Sequence, residues 1–219
     1  MRPFFQTLKN LVQKNPWFFV PFLAWVIAGG FIAVSIPANT LFFGINQYHA
    51  PWLDYAMTFF TSLGQAEYIS GILLSLFFLP AFRTRAYLAL AVSAGVSVTL
   101  VSQALKRYFL APRPLEVYGA GKVHTVAWLS NNFQHSFPSG HTLGAFAFFA
   151  LYSFFLSEKY KPLSVLFFIA ACLCAYSRIY LGQHFFIDVY AGSIFGTLLI
   201  TLQYALMETY LFKKIHPFI

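Results

Sequence analysis

The sequence predicts an all-α protein. It reads as a six-transmembrane-helix bundle with an interfacial amphipathic helix in the first outer loop. Three observations predict this. Charged residues make up only 9% of the 219-residue chain, against about 25% in a typical soluble domain. Hydrophobic residues reach 59% and the mean hydropathy is +0.66. The apolar residues are gathered into six runs separated by polar segments. No internal repeat or low-complexity segment divides the chain, and its length suits one domain spanning residues 1–219.

The chain starts with a polar, basic stretch, Met1 to Asn15. The first apolar run, Trp17–Ile36, is about 20 residues long, enough to cross a bilayer and too long for a signal-peptide core. It is expected to be a retained first span. Gly29 and Gly30 within it suggest close helix contacts, as does Gly95 further on. Pro51 to Leu63 comes next and is amphipathic. Trp52, Ala56, Phe59, Phe60 and Leu63 recur at helical spacing, with Asp54, Thr58 and Ser62 elsewhere. This pattern suits a helix lying in the membrane interface, either an anchor or a wall of a lipid entrance. The remaining spans are expected over Tyr68–Phe82, Ala86–Leu105, Leu143–Leu156, Leu163–Tyr176 and Val189–Leu211. Trp128, Leu129 and Phe133, in Val126–Phe137, mark a second stretch at membrane-surface level. Cys172 and Cys174 sit too close together for a disulfide on one helix and read as packing residues.

Charge orients the bundle. The segments before the first span, between the second and third, between the fourth and fifth, and after the sixth hold Arg2, Lys9, Lys14, Arg83, Arg85, Lys159, Lys161, Lys213 and Lys214. These are nine of the fourteen basic residues. The first loop on the other side, Asn39 to Gln65, has none. The positive-inside rule then places both termini in the cytoplasm. The net charge of +8 is largely this asymmetry, so no nucleic-acid partner is expected.

Three polar stretches then fall together on the outer side. Ser177 to Asp188 reads Ser-Arg-Ile-Tyr-Leu-Gly-Gln-His-Phe-Phe-Ile-Asp. If it opens a helix, His184 and Asp188 share a face at i and i+4. The carboxylate can then hold one ring nitrogen and leave the other as nucleophile or base. Arg178 adds a forked anion binder. Lys106 to Pro114 supplies a second cation pair, Lys106 and Arg113, with Arg113 stiffened between Pro112 and Pro114. Pro138-Ser139-Gly140-His141 precedes the fourth span. There Ser139 can cap a helix whose free N–H groups suit an anion, and Gly140 permits close backbone approach.

Together, in this order, the three stretches resemble the signature of the type 2 phosphatidic acid phosphatase superfamily. Nine positions carry it: Lys106, Arg113, Pro114, Pro138, Ser139, Gly140, His141, Ser177 and Arg178. His184 and Asp188 complete it, and the motifs lie within residues 106–188. The resemblance implies a membrane lipid phosphatase working through a phosphohistidine. It implies His184 as nucleophile, Asp188 as its orienting carboxylate and His141 as general acid and then base. Lys106, Arg113, Ser139, Gly140 and Arg178 would bind the phosphate, and Ser177 would shape the loop or bond a phosphate oxygen. The implied partner is a membrane lipid phosphate in the bilayer: a polyprenyl pyrophosphate such as undecaprenyl pyrophosphate, phosphatidylglycerol phosphate, phosphatidic acid or a lipid A phosphate. The setting would be a bacterial inner membrane with the site on its periplasmic side.

No metal or other cofactor is expected. His124, His135, His141 and His184 could gather a zinc ion, but three cations at the same place repel one. His49, His124 and His135 read as interfacial residues. Two other readings remain open. A lipid phosphotransferase would use the same site with a different acceptor. A non-enzymatic transporter would carry ionisable residues along a path, whereas here they gather at one membrane face. No pattern specifies an oligomeric state.

Overall fold

A computed structural model describes residues 2–78, 82–130 and 132–212. Residues 79–81 of the expected second span, and Lys213 and Lys214, lie outside the described residues. All regular elements among the described residues are helical. They are α1 (Arg2–Lys14), α2 (Pro16–Ser35), α3 (Ala38–Asn46), α4 (Pro51–Ser62), α5 (Ala66–Leu76), α6 (Arg85–Phe109), α7 (Pro114–Tyr118), α8 (Gly140–Phe155), α9 (Ser164–Tyr180) and α10 (Phe186–Tyr210), with a 3-10 turn over Glu158–Leu163 before α9.

Four stretches are long and apolar enough to cross a membrane: Pro16–Ser35, Arg85–Tyr118, Glu158–Tyr180 and Phe186–Tyr210. Two shorter apolar helices, Glu67–Leu76 and Gly140–Phe155, fall where the second and fourth spans were expected. The chain is an integral membrane protein. α2 buries Phe18 and Phe22 and leaves Val20, Leu23, Ile27, Phe31 and Val34 exposed. A helix apolar on every side suits a hydrocarbon solvent. α8 is different, burying Leu143, Phe146, Phe148, Leu151 and Phe154 against α9 and α10. Its 16 residues rise only about 24 Å at 1.5 Å each, and the neighbouring helices enclose it.

Close helix approach depends on small residues. Gly29 and Gly30 lie under Tyr190 of α10, whose hydroxyl donates to Val26 O at 2.8 Å. Gly95 faces Ser70. The tightest contact escaped the sequence reading. Gly192 and Gly196 press α10 onto the first turn of α8, where a Cβ would meet Ser139 O and Leu143 O. This small-xxx-small spacing on α10 brings two of the three motif stretches together.

Three helices were not anticipated: α1, α3 and the five-residue α7. α1 folds the basic N-terminus into a helix packed on α10, with Thr209 Oγ1 donating to Thr7 Oγ1 at 3.0 Å. α3 places Asn46 inside, where it donates to Tyr180 O and His124 O. Lys161, counted among the loop charges, is buried instead. Its ammonium donates to Asn15 Oδ1 at 2.6 Å and Ser153 O at 3.0 Å, closing the end of α8. α4 forms over Pro51–Ser62 and packs on α9 through Met57 and Thr61. Trp52, Tyr55 and Phe59 point away and are exposed. Of the residues that the spacing emphasised, Phe60 packs partly buried against Met57, Tyr180 and Leu181, while Trp52 and Phe59 stay on the exposed face.

Candidate active site

The site lies where the ends of α6, α8, α9 and α10 converge. The sequence expectation of one helix carrying His184 and Asp188 on a shared face is corrected here. α9 stops at Tyr180, and α10 starts at Phe186. Between them, Arg178 O accepts from both Gln183 N and His184 N, which folds the chain into a tight loop. Gly182 takes φ +69, and a Cβ there would press on Val123 and His124 O. His184 therefore precedes the helix, while Asp188 lies in the first turn of α10. They still meet, with Nδ1 of His184 3.4 Å from Oδ2 of Asp188.

Asp188 is held by more than the imidazole. Its Oδ2 accepts from Phe185 N at 2.9 Å and from the hydroxyl of Ser136 in a short hydrogen bond. Ser136 Oγ is also 3.3 Å from His184 Nδ1. Ser136 is fully buried, and its N–H is fixed on Ala111 O at 2.9 Å. Nδ1 is thus the ring nitrogen of His184 that faces Ser136 and Asp188. Burial, and after it Arg113, Arg178 and Lys106, hold the His184 pKa well below its ordinary value of 6.5. A pKa held below 6.5 favours the neutral imidazole at pH 7.

The cations surround it. Arg113 caps α7 from an extended backbone, as its two flanking prolines dictate. Its Nε donates to Gln134 O at 2.9 Å and its Nη1 to Gln183 Oε1 at 3.1 Å. Arg178, in the last turn of α9, donates from Nη1 to Thr61 Oγ1 at 2.6 Å and from Nη2 to Gln183 Oε1 at 3.4 Å. Its Nε is buried with no acceptor among the described residues. Lys106, in the last turn of α6, reaches the start of α8. Its Nζ would lie 3.6 Å from a Cβ placed on Gly140. Gly140 is where helix, lysine and Ser102 crowd together, so a side chain there would displace them.

Ser139 caps α8, and its Oγ accepts from Thr142 N at 3.4 Å and Thr142 Oγ1 at 3.0 Å. Its own N–H donates to Asp188 O at 3.0 Å, tying α8 to α10. His141, one residue into α8 after Gly140, lines a cavity of about 580 Å³ with Lys106, Ser102, Gln103, Gln65 and Glu67. Ser177 turns back on its own helix, donating to Cys174 O at 2.7 Å, so it shapes α9.

The eight candidate residues named from the sequence thus gather at this end of the bundle. Three others were missed: Ser136, Gln183 and Thr61. Gln183 lay in plain view between Arg178 and His184. Its amide oxygen, shared by two guanidinium groups, is an obvious partner once their positions are known. Of the other histidines, His124 pairs with Asp54 at 2.8 Å and stacks on His49, and His135 Nδ1 lies 3.2 Å from Lys106 O. No three His, Cys, Asp or Glu among the described residues stand close enough together to hold a metal.

Comparison with known proteins gives this geometry its context. The chain is 29% identical over 163 residues to phosphatidylglycerophosphatase B of Bacillus subtilis, covering 69% of this chain and 74% of that protein. It is 29% identical over 154 residues to undecaprenyl-diphosphatase BcrC of the same organism, covering 70% and 74% respectively. The crystal structure of a transmembrane PAP2-type phosphatidylglycerolphosphate phosphatase from Bacillus subtilis superposes with a TM-score of 0.66 at 26% identity, over 90% of this chain and 97% of that one. Aquifex aeolicus LpxE gives 0.61 at 28%, over 78% and 96%. The family model of the PAP2 superfamily matches residues 86–211, which hold all eight candidate residues together with Ser136 and Gln183, and the chain belongs to the PAP2 superfamily as an integral membrane phosphatase.

Proposed function

We propose that the protein hydrolyses the phosphomonoester or pyrophosphate of a membrane lipid at the outer face of a bacterial inner membrane, through a phosphohistidine on His184. One observation carries this reading: Arg113 and Arg178 share the Gln183 amide oxygen next to the buried His184, Lys106 reaches Gly140 at the start of α8, and Asp188 is the carboxylate beside the imidazole. Three positive charges facing one carboxylate are suited to a dianionic phosphoryl group and to the charge that grows on it in the transition state.

In this reading the Nε2 lone pair of His184 forms the N–P bond as the P–O bond to the lipid breaks. His141 gives its proton to the departing oxygen, then takes one from water that attacks phosphorus and frees His184. The cations come from the chain itself, so the reaction needs no metal. The proposed topology has six spans: α2, α5, α6, α8, α9 and α10. Both termini are cytoplasmic, supported by the basic-residue asymmetry, and α4 lies at the outer interface. The substrate's head group enters the cavity beside Lys106 and His141. The relatives named above support phosphatidylglycerol phosphate and undecaprenyl pyrophosphate as the first substrates to try, with phosphatidic acid and a lipid A phosphate completing the panel.

The test is phosphate release by detergent-purified protein from that panel, without added metal. Release from at least one lipid, abolished in His184→Ala, is expected. A monodisperse protein that releases phosphate from none of them, or that keeps full activity as His184→Ala, would overturn the reading.

A further inference from the structure

We propose that Ser136 is a positioning residue of the reaction, and that His184 is coupled to Asp188 through its hydroxyl. The inference rests on the phosphohistidine reading above. It starts from a count of protons. A serine hydroxyl has one hydrogen to donate and lone pairs to accept with. That hydrogen goes to Asp188 Oδ2, in the shortest side-chain contact of the site. The oxygen facing His184 Nδ1 at 3.3 Å must then accept. Nδ1 therefore carries the imidazole proton, and Nε2 presents its lone pair.

The two contacts of the ring differ in partner more than in length. Nδ1 stands 3.4 Å from Oδ2, in ion-pair range, and 3.3 Å from the Ser136 hydroxyl oxygen, both longer than an N–H···O bond of about 2.7–3.2 Å. Oδ2 is also the atom already used by the Ser136 hydroxyl and the Phe185 N–H. The carboxylate is thus anchored at the start of α10, and Ser136 carries its influence to the ring. Ser136 is well placed to hold a fixed position. It is fully buried, its N–H is bonded to Ala111 O, and its neighbour Gln134 receives the Arg113 Nε–H. The same loop therefore positions a phosphate-binding arginine and orients the nucleophile.

During transfer the ring becomes cationic as Nε2 bonds phosphorus. No proton need leave Nδ1. Its bond to Ser136 strengthens, and the negative charge of Asp188 is felt through a polarised hydroxyl. Ser136 touches neither the substrate nor the reacting atoms.

The experiment compares Ser136→Ala, Ser136→Thr, Asp188→Asn and the double variant Ser136→Ala/Asp188→Asn. All are purified in detergent, checked for monodispersity and assayed for kcat and KM on the best lipid of the panel. Ser136→Ala should lower kcat about ten- to a hundredfold, the worth of one hydrogen bond to a charged group, with KM little changed. Ser136→Thr, which keeps the hydroxyl, should recover most of that loss. The double variant should lose about as much as the more damaged single variant, because both changes cut one chain of bonds. Multiplicative losses would overturn the proposal, as would a Ser136→Ala kcat within about twofold of the parent. If Ser136→Ala does not fold, Ser136→Thr as impaired as Ser136→Cys would overturn it, because only threonine keeps the hydroxyl. Trapping of labelled phosphoenzyme separates the two levels of argument. A parent protein that forms none loses the phosphohistidine reading and this inference with it. A parent that forms it no faster than Ser136→Ala loses this inference alone.

Discussion

Arg178 Nη1 donates to Thr61 Oγ1 at 2.6 Å, across 117 positions of sequence. The helix that the spacing assigned to the membrane surface therefore helps to aim an arginine of the proposed phosphate site. Thr61 is buried, and the bond is charge-assisted, worth about 1.5–3 kcal/mol in such settings. Thr61→Val, close in shape, should raise KM and lower kcat/KM by about ten- to a hundredfold while the protein stays monodisperse. A kcat/KM unchanged within about twofold would show that Gln183 alone suffices to hold Arg178.

The two histidines should respond differently to the leaving group. His184→Ala should be inactive on every substrate, since no phosphoenzyme can form. His141→Ala should fail on a lipid alkoxide, which needs a proton, and recover in part on an aryl phosphate. General acid catalysis contributes about 10²–10⁴-fold, so the recovery is easily measured as phosphate release. Equal losses of His141→Ala on both substrates, with residual aryl phosphatase activity in His184→Ala, would reverse the two roles.

The depressed His184 pKa has a pH consequence. The folded protein keeps the imidazole neutral well below 6.5, whereas the unfolded chain takes up a proton there. The unfolded state thus binds more protons in that window, so this group's contribution makes stability fall as pH drops below about 6.5. For the reaction the sign is favourable. Nε2 stays unprotonated, so the acid limb of kcat/KM that belongs to His184 should lie well under pH 6.5. Arg113→Gln removes a repelling charge and should move that limb upward. A limb that stays put in Arg113→Gln would mean that the Arg113 charge does not help to set it.

Because the proposed cations belong to the protein, EDTA should leave activity within about twofold of its starting value. Vanadate should inhibit, being able to take His184 as a fifth ligand. Loss of activity in EDTA, restored by zinc, would point to a metal instead.

The topology is open to chemical labelling. Ser130 is exposed in the loop between α7 and α8. In a variant with Cys172 and Cys174 replaced by alanine, Ser130→Cys should react with an impermeant thiol reagent in spheroplasts. Reaction only after lysis would invert the proposed orientation.

Much of this protein was legible in its linear sequence. The apolar runs announced an all-helical membrane protein because a bilayer demands about 20 apolar residues per crossing, a property that adds up along the chain. The eight candidate residues could be named together because their three stretches, in order, resemble a family signature, and each stretch is also a local device: a cation at a helix end, a stiffened Arg-Pro, a serine cap. What their spacing could not supply was the joint between them. The loop over 181–185 replaced the expected continuous helix because Arg178 O captures two N–H groups beyond it. Gly192 and Gly196 set how near α10 comes to α8, a matter of which surface each glycine faces. Ser136 and His184 are 48 positions apart, and Thr61 and Arg178 are 117 apart. A serine or threonine alone in a chain has no preferred partner, since its hydroxyl bonds whatever acceptor or donor packing delivers. Only the folded bundle delivers one, by excluding water and leaving each buried polar group the few neighbours that the helix contacts bring.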